Sequence, residues 1–211
     1  TLNGSSSYVR VKHNKQLDFV RGNNYAISVW AILPPSQSDA SSNYNWLINK
    51  NGTFEESVFG PTTQYVLRNR NIETSIYPFE IKIQNHNTIY NGQVAMAISD
   101  GLTTTEITSS TLINDNTAHH LVFNKNGNTL ELWVDGTKES EASITSLGQV
   151  YNKYDMLMGA KFKSDAGFDV TSNFKSLSGS LDEVRIYNKA LTSAEIGTLS
   201  TNTYANGDAY Q

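Results

Sequence analysis

The sequence predicts an all-β fold, a two-sheet antiparallel jelly-roll sandwich that ends in one short C-terminal helix. Seven Asn-Gly or Asp-Gly dipeptides punctuate its 211 residues, and these residue types tolerate the positive φ of tight hairpin turns. Short runs between the turns alternate apolar and polar residues, as half-buried strands do. A capping-box pattern near the C-terminus predicts the helix.

The strand predictions follow this alternation along the chain. Tyr25–Ile32 is read as one strand, and the apolar residues of 79–83 and of 94–98 define two more. The clearest element is 119–136, in which two alternating runs flank an Asn-Gly turn at 126–127. This pattern predicts an antiparallel hairpin.

The helix prediction rests on Thr192 and Glu195. Thr at the N-cap and Glu three residues later can each satisfy a backbone N–H left free at a helix start. Ile196 and Leu199 would then face the sandwich. The chain contains no repeat and no Pro-rich linker, so we expect a single domain over residues 1–211.

Composition narrows the possible functions. The chain carries 16 basic and 20 acidic residues without a run of like charge, so it lacks the positive stripe that nucleic-acid binding needs. No apolar stretch approaches the roughly 20 residues of a membrane-spanning helix. Cysteine is absent, which excludes disulfides and thiolate metal sites. We therefore expect no nucleic-acid partner and no membrane insertion.

Residue usage also indicates where the protein is located. Charged residues make up only 17% of the chain, while Asn, Ser, Thr and Tyr are abundant. This balance favours an extracellular, cell-surface or virion-surface module. The chain begins at Thr1 rather than Met and shows no signal peptide, so we interpret it as a processed piece of a larger protein.

Several segments resemble one known family. G-S-L-D-E-V-R-I-Y-N-K-A-L-T-S-A-E-I at 179–196 resembles the closing strand and helix of laminin-G-like (concanavalin-A-like) jelly-roll domains. A-H-H-L-V-F-N-K-N-G-N-T-L-E-L-W-V-D-G at 118–136 is similar to the central hairpin of that family, with Ala118 where Trp is usual and Trp133 where Tyr is usual. Residues 2–11 and 25–31 resemble its first strands, whereas 53–115 show no family motif.

The resemblance implies two antiparallel sheets packed face to face, but it does not imply one function. Our leading hypothesis is a lectin-like binding module that recognises a glycan or cell-surface polysaccharide within a larger protein, where it could also contact other domains. The alternative is a structural or adhesion module of a bacterial surface or of a viral fibre or capsid appendage. A polysaccharide-cleaving enzyme is the third hypothesis.

Asp182 is the candidate metal ligand. Period-2 alternation places it on the same face as Val184 and Ile186, where a buried carboxylate needs a partner. The resemblance implies a structural Ca²⁺ between this residue and the N-terminal strand, with Asn3 or Gly4 supplying an oxygen. Alternatively, Asp182 caps the preceding turn by accepting backbone N–H groups.

Aromatic residues are the candidate ligand contacts. Alternation places Trp133 and Glu131 together on the face opposite the apolar residues of their strand, and a flat exposed ring beside polar groups would suit a sugar. Trp46, Tyr44 and Tyr65, near or after the loop at 34–45, are further candidates. Ordinary cross-strand packing is the alternative explanation for all of them.

The sequence offers little support for catalysis. Glycosidases place two carboxylates on either side of the scissile bond, and the E-x-D-x-x-E run of some glucanases with this general fold is absent. Glu55 and Glu56 are adjacent and would diverge in a strand, as would Asp182 and Glu183. A G-x-S-x-G elbow is also absent. We therefore expect a protein that is not an enzyme.

Overall fold

The structure is a computed structural model that describes residues 1–36, 44–53, 75–84, 91–161 and 176–201. The strands in these residues are β1 (Leu2–Asn3), β2 (Val9–Val11), β3 (Tyr25–Ile32), β4 (Tyr44–Asn49), β5 (Gly52–Thr53), β6 (Ser75–Gln84), β7 (Gln93–Asp100), β8 (Thr104–Leu112), β9 (Ala118–Asn126), β10 (Thr129–Val134), β11 (Thr137–Ser143), β12 (Met156–Met158) and β13 (Ser178–Tyr187). A 3₁₀ turn spans Lys15–Leu17, and the α-helix of this part of the chain is α1, Ser193–Thr201.

The described strands form two antiparallel sheets. The six-stranded sheet has the order β1-β13-β3-β9-β10-β11. The seven-stranded sheet has the order β2-β12-β4-β6-β7-β8, with β5 paired to β6. The predicted jelly-roll sandwich is therefore confirmed, and the segment 53–115, which shows no family motif, supplies strands β6, β7 and β8 of the second sheet, of which β8 is an edge strand.

The strongest strand predictions are confirmed in their detail. β3 spans the predicted Tyr25–Ile32, and the predicted hairpin is the β9–β10 pair, with Leu132 opposite Phe123. The opening strand pairs with the closing one, since Leu2 lies opposite Gly179. Residues from both ends of the chain therefore sit side by side in one sheet.

One apolar core fills the space between the sheets. It takes alternating residues from the inner faces, for example Ile27, Phe79, Met96, Phe123 and Leu132, which are all fully buried. Because each strand contributes every second residue to this core, the residues between them point to the two outer faces. These outer faces differ in what covers them.

Helix α1 covers part of the outer face of the six-stranded sheet. Its capping box forms as predicted: the Glu195 Oε2 atom accepts the Thr192 backbone N–H at 2.8 Å, and Thr192 Oγ1 accepts the Glu195 N–H at 3.3 Å. The apolar cluster beneath the helix comprises Ala26, Val122, Leu191 and Ile196, with Trp133, Tyr187 and Leu199 packed against it. Within the described residues, no helix has the length and apolar character that crossing a bilayer requires.

Two lysines are buried and have no hydrogen bond to a carboxylate of the described residues. Lys50 Nζ donates to the backbone O and Oδ1 of Asn152 at 2.8 and 2.9 Å. Lys125 Nζ donates to the carbonyls of Asn23 and Gly127 at 2.6 and 3.0 Å. Burial lowers the pKa of each lysine to about 8, because removal from water disfavours the charged form.

Candidate ligand-binding site

The outer face of the seven-stranded sheet carries a group of charged and aromatic side chains. Because the apolar residues of 79–83 face the core, Glu80 and Lys82 point outward from β6. Trp46 of β4 lies opposite Lys82 in the strand register. Glu106 of β8 shares this outer face, one strand beyond β7.

Small side chains on β7 let these groups meet. Ala95 lies opposite Lys82, and Ala97 lies opposite both Glu80 and Glu106. With only methyl groups between them, Lys82 Nζ reaches Glu106 Oε2 across β7 at 2.7 Å. The short side chains of β7 therefore allow an ion pair to form between the long side chains of β6 and β8.

Glu80 is the centre of the ion pairs. Its Oε1 atom lies 2.8 Å from Lys161 Nζ and accepts a hydrogen bond from Asn51 Nδ2. Its Oε2 atom lies 3.4 Å from Lys82 Nζ. Glu80 is only 1% exposed, and a carboxylate at such a position must be paired to remain charged.

Two aromatic rings flank these ion pairs. Lys82 Nζ lies 4.3 Å from the centre of the Tyr44 ring, and Lys161 Nζ lies 4.6 Å from that of Trp46. The two rings are 6.3 Å apart. We refer to Tyr44, Trp46, Glu80, Lys82, Glu106 and Lys161 as the Trp46 cluster.

The pKa directions of Glu80 and Lys82 favour the charged form of each side chain. Burial alone would raise the pKa of Glu80, but Lys161 and Lys82 outweigh it and lower that pKa. Burial would lower the pKa of Lys82, but Glu80 and Glu106 outweigh it and raise that pKa. Opposite charges within a few ångströms stabilise each other's charged form.

Trp46 retains one unsatisfied donor. Its ring is only 8% exposed, and its Nε1 atom is buried without a hydrogen-bond partner among the residues that the structure describes. Native proteins satisfy the great majority of buried polar atoms. The predicted candidates Trp46 and Tyr44 are thus brought together, but Trp46 is not the open, flat platform that the sequence suggested.

Trp133 and Glu131 lie on the other sheet, away from the Trp46 cluster. The prediction that Trp133 is exposed on a sheet surface is wrong, because the ring is half-buried against the apolar cluster beneath α1. Glu131 Oε2 accepts hydrogen bonds from Trp133 Nε1 at 3.1 Å and from Asn124 Nδ2 at 2.8 Å. Trp133 and Glu131 are therefore part of the packing between helix α1 and the six-stranded sheet.

The predicted burial of Asp182 is also wrong. A register shift in the pairing of β13 with β3 falls between Asp182 and Arg185, and Glu183 there has a φ of 52°. This bulge changes the alternation, so that Val184 and Ile186 still pack on the core while Asp182 is exposed. A β-bulge adds one residue to a strand and reverses which face later residues share.

The predicted calcium ligands lie on or beside the paired strands β1 and β13. Asn3 pairs with Ser178, four residues and therefore about 13 Å of strand from Asp182. The Asn3 Oδ1 atom already accepts the backbone N–H groups of residues 5, 6 and 7. Gly4 adjoins Asn3 and donates its N–H to Leu177 O at 3.1 Å. Among the described residues, no three acidic or histidine side chains are placed to hold a metal.

Sequence reasoning missed most of the Trp46 cluster. Glu80, Lys82, Glu106 and Lys161 come from separated segments, and no motif links them. The available signal was the outward charged pair in β6, where Glu80 and Lys82 interrupt an otherwise apolar strand. Tyr65, the remaining predicted contact, lies outside the described residues.

The fold can be compared with known proteins. Residues 3–197 match the family model described as the concanavalin A-like lectin/glucanases superfamily. No curated protein matches the chain.

Among solved structures, the binding domain of Paraclostridial Mosquitocidal Protein 1 is similar, with a TM-score of 0.63 and 17% identity over 94% of this chain and 42% of that one. The binding domain of botulinum neurotoxin serotype G gives a TM-score of 0.61 and 12% identity, covering 94% of this chain and 41% of that one. That of serotype D gives 0.61 and 14%, with the same coverage. At these identities the likeness shows the fold alone, and this chain spans about two-fifths of each.

Proposed function

Because the chain belongs to the concanavalin A-like lectin/glucanase superfamily, we propose that it is a non-catalytic module that recognises a glycan within a larger extracellular or surface protein. The proposed binding surface is the Trp46 cluster. The structural neighbours named as binding domains are larger than this chain, which agrees with a module that works beside other domains.

The observation that carries the proposal is the pairing of aromatic rings with charged groups on one sheet face. Tyr44 and Trp46 supply apolar surface, while Glu106 and Lys161 supply exposed or half-buried polar atoms at its margin. Glycan sites need both, since sugars present apolar C–H faces and hydroxyl groups. The Nε1–H of Trp46, which has no acceptor among the described residues, could donate a hydrogen bond to a sugar oxygen.

A glycosidase is the competing function, because the cluster contains two neighbouring carboxyl groups. Glu80 and Glu106 both contact Lys82 Nζ, at 3.4 and 2.7 Å, which brings their oxygens within about 6 Å, near the separation found in glycosidases. Such enzymes need one carboxylic acid with a raised pKa. Glu80 instead has a lowered pKa, and Lys82 Nζ forms ion pairs with both carboxylates, so this pair favours binding over cleavage.

A glycan array tests the proposal. We expect binding to at least one glycan, and a loss of about tenfold in affinity for Tyr44→Ala or Glu106→Gln, since each removes one contact worth about 1–2 kcal/mol. Glu131→Gln is the matched control on the other sheet and should bind normally. Loss of binding in that control alone would move the site to the Trp133 region.

Two further outcomes separate the alternatives. A chain that binds no glycan but forms a stable trimer in analytical ultracentrifugation would favour a structural or adhesion module. Release of reducing sugar from a polysaccharide panel would favour an enzyme.

Calcium binding through Asp182, Asn3 and Gly4 is a separate proposal, and the family resemblance is what supports it. A ligand that binds only the folded state raises the melting temperature. A lower melting temperature in EDTA than in added Ca²⁺ would support the ion, and equal values would exclude it.

A further inference from the structure

Lys161 lies between an aromatic ring and a carboxylate of the Trp46 cluster. Its ammonium group lies 4.6 Å from the centre of the Trp46 ring and 2.8 Å from Glu80 Oε1. An aromatic face and a carboxylate around one ammonium are the groups that proteins use to recognise organic cations. The chain therefore fills, with its own side chain, a site built for a cation.

The two lysines of the cluster differ in how firmly they are held. Lys82 contacts both Glu80 and Glu106, and its side chain is only 8% exposed. Lys161 contacts Glu80 alone among the carboxylates of the described residues, and its side chain is 24% exposed. A long, flexible side chain with its end near solvent gives up fewer contacts when it moves than Lys82 would, so of the two lysines Lys161 is the one whose ammonium a ligand cation can replace.

Charge also favours a cationic replacement. The cluster contains two carboxylates and two ammonium groups, so withdrawal of Lys161 leaves it one unit negative. Glu80 would then be a buried carboxylate whose remaining partners in the described residues are Lys82 and Asn51. A neutral ligand could not restore the lost ion pair, and a buried charge that loses its partner is costly.

Resting on the proposed glycan-binding function, we infer that the cluster recognises a glycan containing hexosamine units with free, protonated amino groups. The ligand ammonium takes the place of the Lys161 ammonium between Glu80 Oε1 and the Trp46 ring. A neighbouring sugar oxygen accepts a hydrogen bond from the buried Trp46 Nε1–H, for which the described part of the chain provides no acceptor. Lys161 thus acts as an internal competitor that the ligand must displace.

Two oligosaccharides of equal length test this inference: a fully de-N-acetylated hexosamine oligomer and its N-acetylated counterpart. Acetylation converts the ammonium into a neutral amide, which removes the charge and the cation–π contact. Isothermal titration calorimetry should show at least about tenfold tighter binding of the de-N-acetylated oligomer. This comparison uses the unaltered protein, so no variant has to fold.

The result distinguishes a failure of the hexosamine inference from a failure of the proposed glycan-binding function. Equal affinity for the two oligomers, or binding only of other glycans on the array, would overturn this inference and leave the proposed function intact. A failure to bind any glycan would overturn both.

Lys161→Met sharpens the test, because it removes the internal competitor. We expect its affinity for the de-N-acetylated oligomer to rise about tenfold. Lys138→Met is the matched control, since Lys138 Nζ lies 5.9 Å from the Trp133 ring on the other sheet, and it should leave affinity unchanged. A loss of affinity in Lys161→Met, with an unchanged melting curve, would contradict the displacement.

The indole N–H signals provide an independent readout. The chain has three tryptophans, so a ¹⁵N–¹H spectrum contains three such signals, and Trp46→Phe identifies one of them. Addition of the de-N-acetylated oligomer should shift the Trp46 signal and leave the Trp133 signal in place. A shift confined to Trp133 would place the ligand elsewhere and contradict the inference.

Discussion

The outer faces of the two sheets use similar residues for different purposes. Each has a tryptophan with a glutamate nearby and a lysine ammonium within 6 Å of its ring. On the six-stranded sheet, Trp133 supports helix α1, and its indole N–H is bonded to Glu131. On the seven-stranded sheet, the indole N–H of Trp46 has no partner.

This difference shows that residue types alone do not identify a site. A tryptophan whose polar atom is satisfied and whose ring supports a helix is part of the fold. A buried tryptophan with an unpaired donor, beside charges that contact each other across three strands, has capacity left for a ligand. Substitutions on the two outer faces test this contrast.

Glu80→Ala should be the most destabilising of these changes. It leaves the Lys82 ammonium buried with Glu106 alone and removes the carboxylate partner of Lys161. Breaking a buried ion pair on one side costs about 3–5 kcal/mol, which urea unfolding would measure. Glu131→Ala, on the other face, should cost about 1–2 kcal/mol because it removes hydrogen bonds only. Equal losses would mean that the two faces do not differ in their electrostatics.

Asn124→Ala should loosen helix α1 specifically. Asn124 Oδ1 accepts the N–H of Leu191 at 2.9 Å, and its Nδ2 donates to the carbonyl of Leu191 at 3.1 Å. We expect a loss of about 2 kcal/mol and faster amide hydrogen exchange within Ser193–Thr201. The control Asn49→Ala removes a buried bond to Ala160 in the other sheet and should leave exchange in the helix unchanged. Faster helix exchange in both variants would contradict a local tether.

Raising the pH should stabilise the protein through its two carbonyl-bound lysines. Folded Lys50 and Lys125 lose a proton near a pKa of about 8, against an ordinary value of 10.5. The unfolded chain therefore binds more protons between these values, and stability rises with pH. From about pH 7.5 to about pH 9.5 we expect a gain of at least about 1 kcal/mol in urea unfolding.

Lysine variants measure how much each buried lysine contributes to this pH dependence of stability. Lys50→Met and Lys125→Met should each flatten the rise, because each removes one titrating group. Lys82 has a raised pKa from its carboxylate partners, so Lys82→Met should leave the slope unchanged in this range. Stability that falls across the range in the unaltered protein would contradict the lowered pKa values.

Thr192→Ala should have the smallest of these effects. It removes the hydroxyl that accepts the Glu195 N–H at the start of α1, which costs about 1 kcal/mol. Thr198→Ala, at an exposed position within the same helix, is the control and should cost nothing, since alanine favours helix. A thermal melt distinguishes the two, and equal melting temperatures would mean that the capping box contributes no stability.

Most of the fold could be predicted because its signals are local. Alternation fixed the strand at Tyr25–Ile32 and the hairpin at 119–136, since each needs only neighbouring residues and a turn. The capping box at Thr192 is local in the same sense. The predicted burial of Asp182 is wrong because one bulge at Glu183 changed which face the later residues share, and alternation assumes an unbroken strand.

The candidate site was only partly predictable. Tyr44 and Trp46 could be named because aromatic residues near a long loop are conspicuous. Their charged partners could not, because Lys82 meets Glu106 across an intervening strand and Lys161 reaches Glu80 from 81 positions away in the chain. Such contacts depend on strand order and on the small residues Ala95 and Ala97, neither of which a motif records.

By itself, the sequence determined the all-β class, the hairpins, the closing helix and the family resemblance, because turn chemistry and period-2 alternation act over a few residues. Only the tertiary structure decided which outer face is covered by a helix and which gathers two carboxylates and two ammonium groups around Trp46. The physical reason is that Coulomb attraction and desolvation depend on distance and burial, and strand pairing sets these between residues far apart in the chain.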